Sequence, residues 1–233
     1  NQVEPPLWTK PLIYLSIPFA IGIHTVTAYL YCGLPGRGYW LTAILAPRFL
    51  ASAFAAGPAF LIILCYIVKK FTKFDPGWEA MQTLSKIVCY AVIANLFFFA
   101  CEIFVVFYSG IPGHTAHLQY LLFGYHGYHA LVPWMWTALI LMSTGAVFLI
   151  IPQLRNNKTL LPVTCAMIFF GAWIDKGLGM ISGGFVPSPL HHVTEYAPTG
   201  PEIMITLAVY ATGFLVLTIL YKLATQVKEE VRG

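Results

Sequence analysis

Charged residues are scarce in this chain. Asp, Glu, Lys and Arg make up 9% of its 233 residues and hydrophobic residues 58%, whereas a soluble domain carries about 25% charge; a soluble globular fold is excluded. Clustered cysteine is missing too. Cys32, Cys65, Cys89, Cys101 and Cys165 are scattered, with no CxxC or CxxCH spacing, so we expect neither an iron–sulfur cluster nor a c-type haem in this chain. They read as small buried hydrophobes. No signal peptide precedes the first apolar run, and the chain opens on Asn1 rather than Met. The absent Met fits either processing or missing N-terminal sequence; we expect the second, and an absent part with an even number of helices would preserve the topology.

What is present is apolar length. Runs over 11–32, 41–68, 84–108, 130–151, 160–181 and 201–221 are each close to the ~20 residues that a crossing requires. Breakers separate them: Gly33-Leu34-Pro35-Gly36, Asp75-Pro76-Gly77, Ile111-Pro112-Gly113 and the stretch from Ser182 to Pro201. In lipid only helices and closed barrels satisfy the backbone, and runs this long are helices. The expected fold is an all-α integral membrane protein, a bundle of six transmembrane helices in one domain over residues 1–233.

With alternating helices, Lys10, Lys69, Lys70, Lys73, Lys86, Arg155, Lys158, Lys222, Lys228 and Arg232 fall on one side. Arg37, Arg48 and Lys176 belong to the other. The positive-inside rule places the first group, and both ends of the chain, in the cytoplasm. The net charge of +4 follows from this asymmetry and calls for no nucleic acid partner.

The few ionisable groups inside the spans lie at one depth. His24 is seven residues before Tyr31, Arg48 seven after Leu41, Glu102 six before Tyr108 and Asp175, beside Lys176, six before Ile181. At 1.5 Å per residue all lie roughly 9–10 Å beneath the outer surface. Charge at such a depth is costly and marks function by default. Arg48 needs a carboxylate, with Glu102 or Asp175 the candidates, and such a pair is either structural or part of a site. Asn95 and Glu102 share a helical face. Asp175-Lys176 precedes Gly177, Gly179, Gly183 and Gly184 at a helix end expected to unwind; it either relays protons or neutralises itself.

The first helix carries a stripe of Ser16, Ala20, His24, Thr27 and Tyr31 at helical spacing. Three roles fit His24: exchanging a proton with a quinol or quinone, bonding a neighbouring helix as structural glue, or ligating haem. The last lacks an opposed histidine, because no other His lies inside a span away from its end. Small residues in the second helix, Ala51, Ala55 and Ala59 with Ser52 and Ala56, are spaced for close helix packing.

The segment Ser16-Ile17-Pro18-Phe19-Ala20-Ile21-Gly22-Ile23-His24-Thr25-Val26-Thr27, then Gly33-Leu34-Pro35-Gly36-Arg37, Trp40 and Thr42-Ala43-Ile44-Leu45-Ala46-Pro47-Arg48-Phe49, resembles the NrfD/PsrC family. Ala197-Pro198-Thr199-Gly200-Pro201-Glu202-Ile203 matches a second signature of that family. The wording is most similar to its DsrP branch, membrane subunits of the sulfate reducers' DsrMKJOP complex. The resemblance implies the C-terminal part of an eight- to ten-helix fold in a prokaryotic inner membrane. It implies a subunit without haem or iron–sulfur cluster that binds menaquinone or another quinone. Such a subunit exchanges electrons with a ferredoxin-like iron–sulfur subunit on the outer face, alongside further redox subunits, cytochromes among them. His24 matches the family's quinone-site histidine. Thr27, Tyr31, Trp40 and Arg48 are the further quinone-binding candidates, and Glu102, Asp175 and Lys176 the proton-relay candidates.

His114, His117, His126, His129, His191 and His192 crowd the stretches 109–129 and 182–200, expected to be long outer loops. No Cys or acidic residue accompanies the HxxH pairs at short range, so solvated or partner-facing histidines are expected rather than a metal site. Loops of that size fit partner docking. Against the quinone subunit stand a secondary transporter or proton-translocating subunit without quinone chemistry, and a purely structural anchor. A transporter favours midplane sites and internal repeats, and neither is visible here. An anchor does not need His24 and Arg48 at matched depth.

Overall fold

The computed structural model describes residues 7–72, 75–195 and 197–230, with side chains up to Gln226 in the last helix. Of the basic residues behind the topology, Lys73, Arg232 and the side chain of Lys228 lie outside the described residues, as do Asn1 and Tyr196. The elements are α1 (Thr9–Cys32), a 3-10 turn (Gly38–Trp40), α2 (Leu45–Phe71), α3 (Trp78–Ser109), α4 (Pro112–Leu122), α5 (Val132–Ile150), α6 (Pro152–Arg155), α7 (Leu160–Ile174), a π-helical segment (Asp175–Ser182), α8 (Gly183–Phe185) and α9 (Gly200–Glu230). Among the described residues, six segments are long and apolar enough to cross a membrane: Thr9–Cys32, Leu45–Phe71, Trp78–Ser109, Val132–Ile150, Leu160–Phe185 and Gly200–Gln226. The protein is a multi-pass, all-α membrane protein.

Two compact units divide the chain: residues 1–15 with 196–233, and residues 16–195. The second is built on α2, α3, α5 and α7, which pack against one another. Lipid tails are as apolar as leucine, so these helices associate by close approach rather than by escape from water. The small-residue stripe of α2 does this: Ala55 and Ala59 are fully buried and pack with Val88, Val92, Leu161 and Cys165. Gly171 on α7 does the same against α5, where a Cβ would stand 2.8 Å from Met142 Cγ. A second core lies toward the other end, where Trp40, Leu45, Phe99, Leu118, Leu121 and Met180 pack together.

Three local expectations are corrected. Helix α2 begins at Leu45 rather than Leu41, because the 3-10 turn and the non-helical residues after it occupy 38–44. Residues 109–129 are not one open loop. Pro112, with no N–H to lose, opens helix α4, and Ala116, Leu118 and Leu121 bury its inner face. The chain after Asp175 does not unwind but widens into the π-helix, a form common at functional sites.

Candidate functional site: an ionic cluster behind an apolar pocket

Arg48, in the first turn of α2, is 1% exposed, and Glu102 and Asp175 are buried with it. Its guanidinium serves both carboxylates. Nη1 donates to Glu102 Oε2 on α3, and Nη2 donates to Asp175 Oδ1 at 2.5 Å. The two alternatives for Arg48's partner are therefore both realised. The planar fork, with its two separate terminal nitrogens, suits two acceptors on two helices at once. Phe99 closes one side, with its ring centroid 4.6 Å from the guanidinium carbon. Lys176 adds the second cation, its Nζ 3.9 Å from Asp175 Oδ2. Two cations thus face two anions, which is what makes their joint burial tolerable.

Satisfaction within the cluster is incomplete. Among the described residues, Asp175 Oδ2, Lys176 Nζ, Arg48 Nε and the Tyr39 hydroxyl find no hydrogen-bond partner and are buried. The Tyr39 phenol is held well above its ordinary range, by burial first and by the Glu102 carboxylate second. Asn95, on one helical face with Glu102 as expected, is buried with its amide nitrogen 3.6 Å from Met142 Sδ.

Beside the cluster lies a pocket of about 370 Å³. Helix α1 supplies His24, Thr27 and Tyr31, α2 supplies Phe49 and Ser52, α7 supplies Phe169 and Trp173, and the π-helix supplies Lys176 and Met180. The walls are largely aromatic and aliphatic, with imidazole, hydroxyl and ammonium groups as the polar contributions. Such a lining suits a flat apolar ligand with a polar edge. Thr27 already donates to the Ile23 carbonyl at 2.7 Å. Lys176 also lies 4.8 Å from the Phe49 ring centroid. Among the described residues it is the one shared by pocket and cluster.

The match to known proteins covers this region. Residues 4–185 fit the family model described as "Polysulphide reductase, NrfD". The chain belongs to the NrfD family. It is 24% identical over 225 residues to a Halobacterium salinarum protein named provisionally as a membrane subunit of dimethyl sulfoxide reductase, covering 87% of this chain and 50% of that one. It is also 24% identical over 180 residues to the menaquinone reductase integral membrane subunit of Nitratidesulfovibrio vulgaris, covering 75% and 42% respectively. The chain spans about half the length of these curated relatives.

Within the NrfD-family match, the eight site candidates divide by position. His24, Thr27, Tyr31 and Lys176 line the pocket. Arg48, Glu102 and Asp175 form the ionic cluster. Trp40 lines neither. It is fully buried, donates its indole N–H to the Met180 carbonyl at 2.9 Å, and meets the Tyr31 ring edge-on at 4.8 Å. Its place is behind two pocket residues. Gly184 makes room for it, since a Cβ there would collide with the indole. Ser16, at the inner end of the stripe, is outside the lining.

At the loop end, Arg37 donates to the Phe185 carbonyl at 2.7 Å, and Glu195 accepts the Ala130 N–H at 2.9 Å. His117 corrects the expectation for the loop histidines. It is buried, and its Nδ1–H points at the carbonyls of Gly183 (3.2 Å) and Val186 (3.0 Å). Burial holds its pKa below the ordinary histidine value. Among the described residues no three His, Cys, Asp or Glu side chains gather to hold a metal. The residues missed from sequence include Tyr39, Phe99, Phe169 and Trp173. Aromatics in an aromatic-rich membrane chain carry no signal of their own, although Tyr39 adjoins Trp40 in the 3-10 turn before α2.

Proposed function

We propose that this chain is the quinone-reactive membrane subunit of a respiratory oxidoreductase complex, with menaquinol or another quinone as its substrate in the His24–Lys176 pocket. One observation carries the reading: an aromatic-walled pocket brings an imidazole and an ammonium together directly in front of two buried carboxylates. Family membership and a relative named as part of a menaquinone reductase support it.

In the quinol-oxidising direction, the substrate gives up two protons and two electrons. His24 accepts the proton of one hydroxyl as general base. The second proton leaves past Lys176 toward Asp175 and Glu102, whose charges Arg48 holds in place. Both electrons pass to a ferredoxin-like iron–sulfur subunit at the outer face and on to further redox subunits, cytochromes among them. The reverse direction uses the same groups with the protons returned. Tyr31 and Thr27 contact the substrate, while Trp40 and Arg48 position those that do. We place the subunit in a prokaryotic inner membrane with both ends of this chain cytoplasmic, following the basic residues. Within the family we read it as DsrP-like and linked to sulfur metabolism. A transporter is less well matched, because the ionic cluster sits near one end of α2 and α3 rather than at their middle.

The experiment is His24→Ala in the assembled complex. Turnover with a soluble quinol analogue should fall at least a hundredfold while every partner protein stays bound. Wild-type turnover in that variant would remove His24 from the chemistry.

A further inference from the structure

At the opposite end of the same unit is a second pocket, of about 530 Å³, that quinone chemistry does not use. The end of α2 supplies Tyr66, Ile67, Lys69, Lys70 and Phe71; α3 supplies Trp78 and Met81; Lys158, from the turn before α7, completes it. Its charges are unequal. Lys69 is occupied by Asp75, Nζ to Oδ2 at 2.6 Å, and that bond holds the Asp75 carboxyl below the usual range. Lys70 has no carboxylate within ion-pair distance among the described residues. Lys158 has none either and rests over the Trp78 ring, 5.5 Å from its centroid. The Tyr66 hydroxyl is buried with no hydrogen-bond partner among the described residues, an arrangement that native structures seldom leave unrepaired.

From this combination we infer an anionic phospholipid site. The phosphate lies between Lys70 and Lys158, the Tyr66 hydroxyl donates to a headgroup or ester oxygen, and the acyl chains run along Ile67, Phe71 and Met81. The position argues for lipid over a soluble phosphate compound. The pocket opens where α2 and α3 reach the end of their spans, with Lys and Trp at the level where interfacial anchors belong. Basic pockets between transmembrane helices are what anionic headgroups recognise. The apolar walls offer a soluble anion nothing. The site is independent of the quinone reading, and its test needs no turnover.

The test is lipid binding to the purified complex after delipidation, read by native mass spectrometry and by thermal midpoint, with cardiolipin, phosphatidylcholine and inorganic phosphate as probes. Cardiolipin should bind and raise the midpoint, and the other two should not. At roughly fivefold per lysine, Lys70→Gln with Lys158→Gln should weaken cardiolipin about 25-fold. Lys86→Gln, the same charge change on an exposed residue outside the pocket, should leave it unchanged. Tyr66→Phe, which removes only the orphan hydroxyl, should weaken it a few-fold and serves if the double variant does not fold. A full effect from phosphate alone, equal binding of phosphatidylcholine, or undiminished cardiolipin binding in the lysine and tyrosine variants would overturn the proposal.

Discussion

Lys176 holds its ammonium 3.9 Å from Asp175 Oδ2 while its side chain forms part of the wall around His24. Two neighbours in sequence therefore join a ligand-sized pocket to a buried ion network. The π-helix that begins at Asp175, with its wider turn, follows directly on α7 at this point.

Replacing Lys176 should separate pocket from network. Lys176→Met should lower quinol turnover ten- to a hundredfold. Assembly should persist, because Arg48 still bonds both carboxylates. Steady-state kinetics beside a measurement of the complex's stoichiometry distinguishes the two effects, and loss of the complex would show the lysine to be structural.

Arg48 should behave in the opposite way. Arg48→Ala strands two buried carboxylates and should cost about 3–5 kcal/mol, seen as lost assembly or a sharply lowered thermal midpoint. Arg48→Lys should rescue poorly, since a single ammonium nitrogen lacks the two separated donors that meet Glu102 and Asp175. Full rescue by lysine would mean that charge alone matters there.

Trp40→Phe keeps an aromatic ring and loses the bond to the Met180 carbonyl. One neutral hydrogen bond is worth about 1 kcal/mol. The expected result is a several-fold rise in KM for the quinol with kcat nearly unchanged, the mark of a positioning residue. A collapse of kcat would place Trp40 nearer the chemistry.

How far these features were legible beforehand depends on the signal each carries. Six spans follow from apolar length, and a pairing of Arg48 with Glu102 or Asp175 follows because buried charges must find one another. Arg48's double pairing was not legible: spacing along separate helices gives depth but no rotation about their axes. Helix α4 was hidden by its Gly, His and Pro content, although Pro112 at its first turn is a start signal. His117 then passed for a loop histidine. Trp40's anchoring of Met180 joins residues 140 apart in sequence, a contact that only the fold reveals.

His117 also yields a pH prediction. Its folded-state pKa lies below the ordinary value of 6.5, so at mildly acidic pH the unfolded chain binds the extra proton and the folded one does not. Stability is full above about 6.5 and falls as pH drops through the folded pKa. His117→Asn should flatten this acid limb of thermal midpoint against pH. An unchanged slope would move the effect to another group.

The central claim is that a quinone occupies the pocket between α1, α2 and the π-helix. A density map of the assembled complex with a menaquinone analogue bound tests it most directly. The headgroup should lie within hydrogen-bond distance of His24 and beside Lys176, with its ring between Phe49 and Trp173. A quinone resolved elsewhere, with lipid filling this pocket, would contradict it.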